Sequence, residues 1–183
     1  YAYPVEIEVN DGHGYPSTVI VGLPDTAVKE RQDRVHTAVT NSGYKPHVGR
    51  TTVNLAPAHI KKEGPVFDLP IAVGMLAAQG EFDEGRLAEF AMVGELALSG
   101  EVRRVRGVLP IALRTRQEGR RGILVPCENA EEAAVVEGLQ VFPVRNLRHA
   151  AEFLRDGEAE QPFQVDVQEL YRTRADHELD FSH

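Results

Sequence analysis

Lys61-Lys62-Glu63-Gly64-Pro65-Val66-Phe67-Asp68-Leu69-Pro70-Ile71-Ala72-Val73-Gly74-Met75-Leu76-Ala77-Ala78 decides how the chain is read. A charged Gly-Pro turn runs directly into an apolar helix, predicted to start at Asp68 and to reach about Gln79, where Gly80 stops it. A helix entered this way offers free amides and the positive end of its dipole, an environment that stabilises negative charge. No Ser, Thr or Cys occupies Gly64 to Leu69. The layout suits a catalytic turn while the nucleophile is missing, which points to binding or coupling. Asp68 is read as the N-cap of the helix, filling the anion position itself.

On the N-terminal side, Val5 to Val9 alternates as a strand does, Asn10 to Gly14 is rich in turn residues, and Ser17 to Val21 forms a second strand. These two strands are expected to pair as a hairpin. Gly22-Leu23-Pro24-Asp25 opens a helix, in which Val28, Val35, Val39 and Ser42 share one face, and Asn41-Ser42-Gly43 closes it. Thr51 to Leu55 is a strand. On the C-terminal side, strands are predicted over Ala91 to Leu98, Gly122 to Val125 and Leu139 to Phe142, with a short segment at Glu101 to Val105 pairing nearby after Ser99-Gly100. Helices are predicted over Val108 to Glu118, Glu128 to Val136 and Asn146 to Leu154. Helix and strand alternate through this part, which predicts an α/β layer with some parallel pairing.

The chain has 183 residues, enough for one substantial domain, assigned to 1–154, and an extension over 155–183. From Arg155 onward eight acids face three arginines and apolar residues are sparse, so the extension is read as an acidic linker outside the core. The chain opens on Tyr1 and stops at His183 without a capping element, which leads us to expect a longer parent protein. No apolar run reaches the roughly 20 residues of a membrane span. With neither a span nor a signal peptide, a cytoplasmic location is expected. A single cysteine, Cys127, excludes an internal disulfide and a thiolate zinc site, and is read as an inert, partly buried thiol.

Other chemistries find little support. There is no Gly-x-x-x-x-Gly-Lys-Ser/Thr, so ATP has no P-loop here. His13, His36, His47, His59, His149, His177 and His183 are scattered, without a His-Glu-x-x-His pair, and are read as surface residues. Lys61 and Lys62 form a small basic spot, read as a solvated turn.

Several motifs occur in order along the chain. They are Val21-Gly22-Leu23-Pro24-Asp25, Val53-Asn54-Leu55-Ala56-Pro57-Ala58, Lys62-Glu63-Gly64 with Phe67 to Ala72, Gly94-Glu95-Leu96-Ala97-Leu98, Arg106-Gly107-Val108-Leu109-Pro110, and Val125-Pro126 with Glu128-Asn129-Ala130. Together they resemble the N-terminal domain of the magnesium-chelatase-like AAA+ ATPases of the ComM/YifB family, over roughly Tyr3 to Leu154. The resemblance implies a ribosomal-protein-S5-domain-2-like β-α-β sandwich, as in the proteolytic domain of Lon, within the α/β (α+β) class. It also implies a hexameric, ATP-driven DNA branch-migration helicase acting in recombination during competence. ATP and Mg would sit in an ATPase module beyond this chain, and this domain would hold no cofactor or metal. At the positions of the Lon-like Ser and Lys the chain has Val66 and Leu109, so the resemblance implies no catalytic dyad.

A basic segment carries the clearest functional signal. Arg103, Arg104, Arg106, Arg114, Arg116, Arg120 and Arg121 face one acid, Glu118, a local charge of +6 in a protein of net charge −8. Guanidinium groups hold phosphate oxygens as a bidentate fork, so the cluster suits a DNA backbone read without sequence preference. The competing reading has these arginines in salt bridges, with the acidic tail or with a neighbouring subunit of a homo-oligomeric ring. A protein-interaction module without DNA contact is the alternative function.

Overall fold

The computed structural model describes residues 6–13, 17–21, 25–45, 49–56, 65–157, 160–165 and 172. Lys61, Lys62 and Gly64, the Gly22–Pro24 helix entry and most of the acidic extension lie outside them.

Three strands form the first sheet: β1 (Glu6–Gly12), β2 (Ser17–Val21) and β3 (Arg50–Ala56), in the order β1-β3-β2. The expected β1–β2 hairpin is not formed. β3 lies between them, antiparallel to β1 from Glu6↔Ala56 to Gly12↔Arg50 and parallel to β2 from Ser17↔Arg50 to Val21↔Asn54. Insertion satisfies both edges of β3, where a hairpin would leave its backbone groups unpaired. The parallel pairing requires a crossover, supplied by α1 (Asp25–Asn41). Of the expected face of α1, Val35 and Val39 are buried and Ser42 is half-buried, with Ala38 buried beside them, while the side chain of Val28 lies outside the described residues. Ser42 ends the helix by donating its hydroxyl to Ala38 O at 2.7 Å, and Gly43 turns away at φ +89°.

α2 (Asp68–Ala78) follows a 3-10 turn at Pro65–Phe67. It is apolar on nearly every side, and Leu69, Ile71, Ala72, Val73 and Leu76 are fully buried. Such a helix belongs in the centre of a core. It packs on β1, α1 and α6.

A short α3 (Glu84–Leu87) leads to the second sheet, β4 (Phe90–Met92), β7 (Gly122–Pro126) and β8 (Gln140–Val144), parallel throughout in the order β4-β7-β8. α4 (Val108–Gln117) and α5 (Ala130–Ala134) cover one face, where Ile123, Val125 and Val141 meet Val108, Ala112 and Ala133. α2 and α6 (Leu147–Asp156) cover the other, where Leu124, Phe142 and Val144 point. A strand buried on both faces reads as a continuous apolar run, which is why Gly122 to Pro126 is buried at every position. Phe90, Phe142 and Phe153 form an aromatic cluster with centroids 4.6–5.8 Å apart. A Cβ at Gly122 would lie 2.8 Å from the carbonyl oxygen of Gln140. Backbone cannot retreat as a side chain can, so Gly122→Ala is expected to lower stability by about 1–3 kcal/mol in chemical denaturation.

The strand expected over Ala91 to Leu98 is two strands in different sheets. β4 ends at Met92, and β5 (Glu95–Leu96) pairs antiparallel with β6 (Val102–Arg103). Gly94, between them, donates its amide to Val66 O at 3.1 Å and accepts from Leu69 N at 3.0 Å. The chain is thereby stitched to the start of α2, and a Cβ there would come within 2.7 Å of Val102 Cγ1. The helix expected over Glu128 to Val136 is a 3-10 turn, Cys127–Asn129, followed by the five residues of α5.

Candidate nucleic-acid interface

The turn-helix stretch at 65–78 carries an acid that does different work from that expected. Phe67, not Asp68, is the N-cap of α2, and it makes no side-chain cap. Asp68 is fully buried. Its Oδ2 accepts from Arg34 Nε at 2.7 Å and from the amide of Leu96 at 3.1 Å, while its Oδ1 accepts from Arg34 Nη2 at 3.0 Å. The guanidinium of Arg31 stands 3.9 Å away and lies over the Phe67 ring. One carboxylate therefore ties α1, α2 and β5 together. The hydrogen bond to Asp68 raises the pKa of Arg34 above its ordinary value. Burial lowers that of Arg31, with the Asp68 charge opposing the shift. The sequence held a signal for this site: Arg31 and Arg34 flank the Val35–Val39 face at helical spacing.

Val66 is half-buried, packed against the cluster of Val105, Val108 and Ile123, and its carbonyl accepts from Gly94. Leu109 is 36% exposed in the first turn of α4, and its amide donates to Glu132 Oε1 at 3.1 Å. Neither side chain can transfer a proton or attack a carbonyl.

The seven arginines do not form one surface. α4, about 15 Å long at 1.5 Å per residue, separates them into two groups. At its C-terminal end Arg114 and Arg120 both reach Glu118, at 3.4 and 3.2 Å. Arg120 also donates to Ala88 O at 2.9 Å. Arg121 lies 3.7 Å from Glu89 and over the Phe90 ring. Arg116 is exposed in the last helical turn. At the N-terminal end Arg103, Arg104 and Arg106 are exposed and form no ion pair with a described residue. Glu95 faces Arg103 across the β5–β6 register.

Between Arg104 and Arg106 the chain is held firmly. Asn129, 1% exposed, accepts from Val105 N at 3.1 Å and donates to Val105 O at 2.8 Å, acting as a strand partner made from one side chain. The motif Glu128-Asn129-Ala130 contained this residue without indicating its role. Asn129→Ala leaves both Val105 backbone groups buried and unsatisfied. An expected loss of about 1–3 kcal/mol for each uncompensated group is readable in a urea melt.

Sequence spacing could not place Arg145 with this group. Its carbonyl accepts from Val102 N at 2.9 Å, which sets it beside β6. Arg145, Ser99, Glu101, Val102, Cys127, Glu128 and Asn146 line an open cavity of about 490 Å³ at the carboxyl ends of β7 and β8. Cys127 is exposed here rather than partly buried, because the 3-10 turn after Pro126 carries it out of the sheet. No group of three or more His, Cys, Asp or Glu among the described residues is placed to hold a metal ion. No helix among them is long and apolar enough to cross a membrane.

An α/β body of two three-stranded sheets, with α2 packed between them and α4 and α5 on the outer face of the second, thus carries a buried carboxylate anchor and an exposed arginine edge. The family described as subunit ChlI of Mg-chelatase matches residues 5–129, and the chain belongs to that family. The competence protein ComM of Haemophilus influenzae is 42% identical over 163 residues, 89% of this chain and 32% of the relative. The protein YifB of Salmonella typhimurium is 41% identical over 167 residues, 91% of this chain and 33% of the relative. Lon protease 2 of Bacillus subtilis is 26% identical over 138 residues, 74% of this chain and 24% of that protein, consistent with a Lon-like fold. The chain thus spans about one third of the length of the ComM and YifB relatives it matches.

Proposed function

We propose that this chain is the non-catalytic N-terminal domain of a ComM-like AAA+ ATPase that moves DNA branches during recombination of transforming DNA. In this reading ATP and Mg bind in a separate module of a cytoplasmic homo-oligomeric ring, and the domain presents a phosphate-binding edge. The observation that carries the reading is the outward display of Arg103, Arg104 and Arg106 around the Val105–Asn129 clamp, without ion-pair partners among the described residues. Arg145 extends that edge. Such a surface grips the DNA backbone without reading bases.

The test is fluorescence anisotropy with single-stranded, duplex and branched DNA across a salt series. Binding is expected to weaken linearly in log salt, as counterion release requires. No binding at low salt would move the function to partner contacts. That second reading is favoured by one observation, the exposure of Leu109 and Leu113, one turn apart on α4, and of Val135 at the end of the adjacent α5. Binding through those side chains would be insensitive to salt.

A further inference from the structure

The chain does not leave α6 as a free linker. At Gly157 it passes so close to Phe153 that a Cβ would lie 3.0 Å from the ring. Glu160 then returns to the domain, with Oε1 2.8 Å from His149 Nε2. Three residues on, the Phe163 amide donates to Val141 O on the outer edge of β8 at 2.7 Å. The other ring nitrogen of His149 is also engaged, with the backbone amide of Arg145 donating to Nδ1 at 3.1 Å. An amide N–H can only donate, so Nδ1 accepts. The neutral ring therefore carries its proton on Nε2 and donates it to Glu160. Asn146 holds the same residue from the backbone side, its Oδ1 accepting from His149 N at 2.7 Å.

We propose that residues 160–165 form a strap clasped to the β8 edge, and that His149 links this strap to the position of Arg145. The Arg145 backbone is held on both sides of its Cα, its oxygen by Val102 and its nitrogen by His149. Glu160 orients the ring that makes the second bond. When the strap lifts, the imidazole is free to rotate, and the Arg145 amide loses its acceptor. The segment that follows α6 and the arginine edge therefore share one side chain. Only the use of Arg145 as a phosphate contact rests on the function proposed above; the linkage itself does not.

Residue-resolved amide hydrogen exchange on the whole chain tests it. Glu160→Ala removes the acceptor of the clasp, and Phe163→Pro removes the amide bonded to β8 without changing charge. Neither residue forms a hydrogen bond or ion pair with Arg145. In both variants the Arg145 amide is expected to exchange about 5- to 10-fold faster, the loss of one hydrogen bond, with the β7 amides unchanged as the control for global stability. Glu160→Gln keeps an acceptor for Nε2–H and is expected to retain most of the protection. Unchanged Arg145 exchange in both Glu160→Ala and Phe163→Pro overturns the linkage. Exchange in Glu160→Gln as fast as in Glu160→Ala overturns the neutral donor assignment. DNA affinity does not enter either readout, so a failed salt titration and a failed strap are told apart.

Discussion

Asp68→Ala is expected to lower the unfolding free energy by about 3–5 kcal/mol. The substitution removes a fully buried carboxylate that accepts three hydrogen bonds, two from Arg34 and one from the Leu96 amide. What remains is the guanidinium of Arg34, with a side chain 18% exposed, and that of Arg31, at 4%. Their mutual repulsion then loses its nearest counter-charge, and Glu30, 3.1 Å from Arg34, opposes it from an exposed position. The cost of breaking such a site comes mainly from buried charge that has lost its closest counter-charge, so replacing Asp68 together with Arg34 should cost less than the two single changes added. Urea denaturation of the two singles and the double checks this. A loss below about 1 kcal/mol for Asp68→Ala would put the pair in the range of solvated surface bridges and remove its role as the joint between α1, α2 and β5.

Changing Arg103, Arg104 and Arg106 together to Glu is expected to remove most salt-sensitive DNA binding while leaving the fold intact. Each phosphate contact contributes about one unit to the slope of log affinity against log salt, so three lost contacts lower it by about three units. The reversed charges then repel the backbone as well. These side chains are exposed, so circular dichroism and the melting temperature should barely move. Reversing Arg114, Arg120 and Arg121 instead should leave most of the binding, because those side chains are engaged with Glu118, Ala88 and Glu89. Equal loss in both triple variants would mean that net charge, rather than the edge around Val105, governs the interaction.

The positions of most elements were legible in the residues. The α1 face at Val35 and Val39, the stop of α2 before Gly80, the buried strand at Gly122 to Val125 and the start of α6 at Asn146 are local patterns, and the structure keeps them. The arginine cluster was legible as composition, but not as geometry. Seven cations within one segment say nothing about which face an acid will neutralise. Glu118 and Glu89 settled that for three of them.

By itself the sequence determined where most of the longer helices and strands lie, because a period of 3.6 or 2 and a Gly or Asn stop are written in neighbouring residues. It also determined that Val66 and Leu109 hold no nucleophile or base, since residue type alone settles that point. Tertiary structure alone decided that β3 enters between β1 and β2, and that Ala91 to Leu98 divides between two sheets. It alone made Asp68 an interior anchor rather than a cap, and brought Arg145 beside Val102. Nearly all of these rest on partners about 30 to 50 residues apart, paired because a buried donor, acceptor or charge must be satisfied somewhere. A local pattern shows that the need exists; only the folded chain shows which residue meets it.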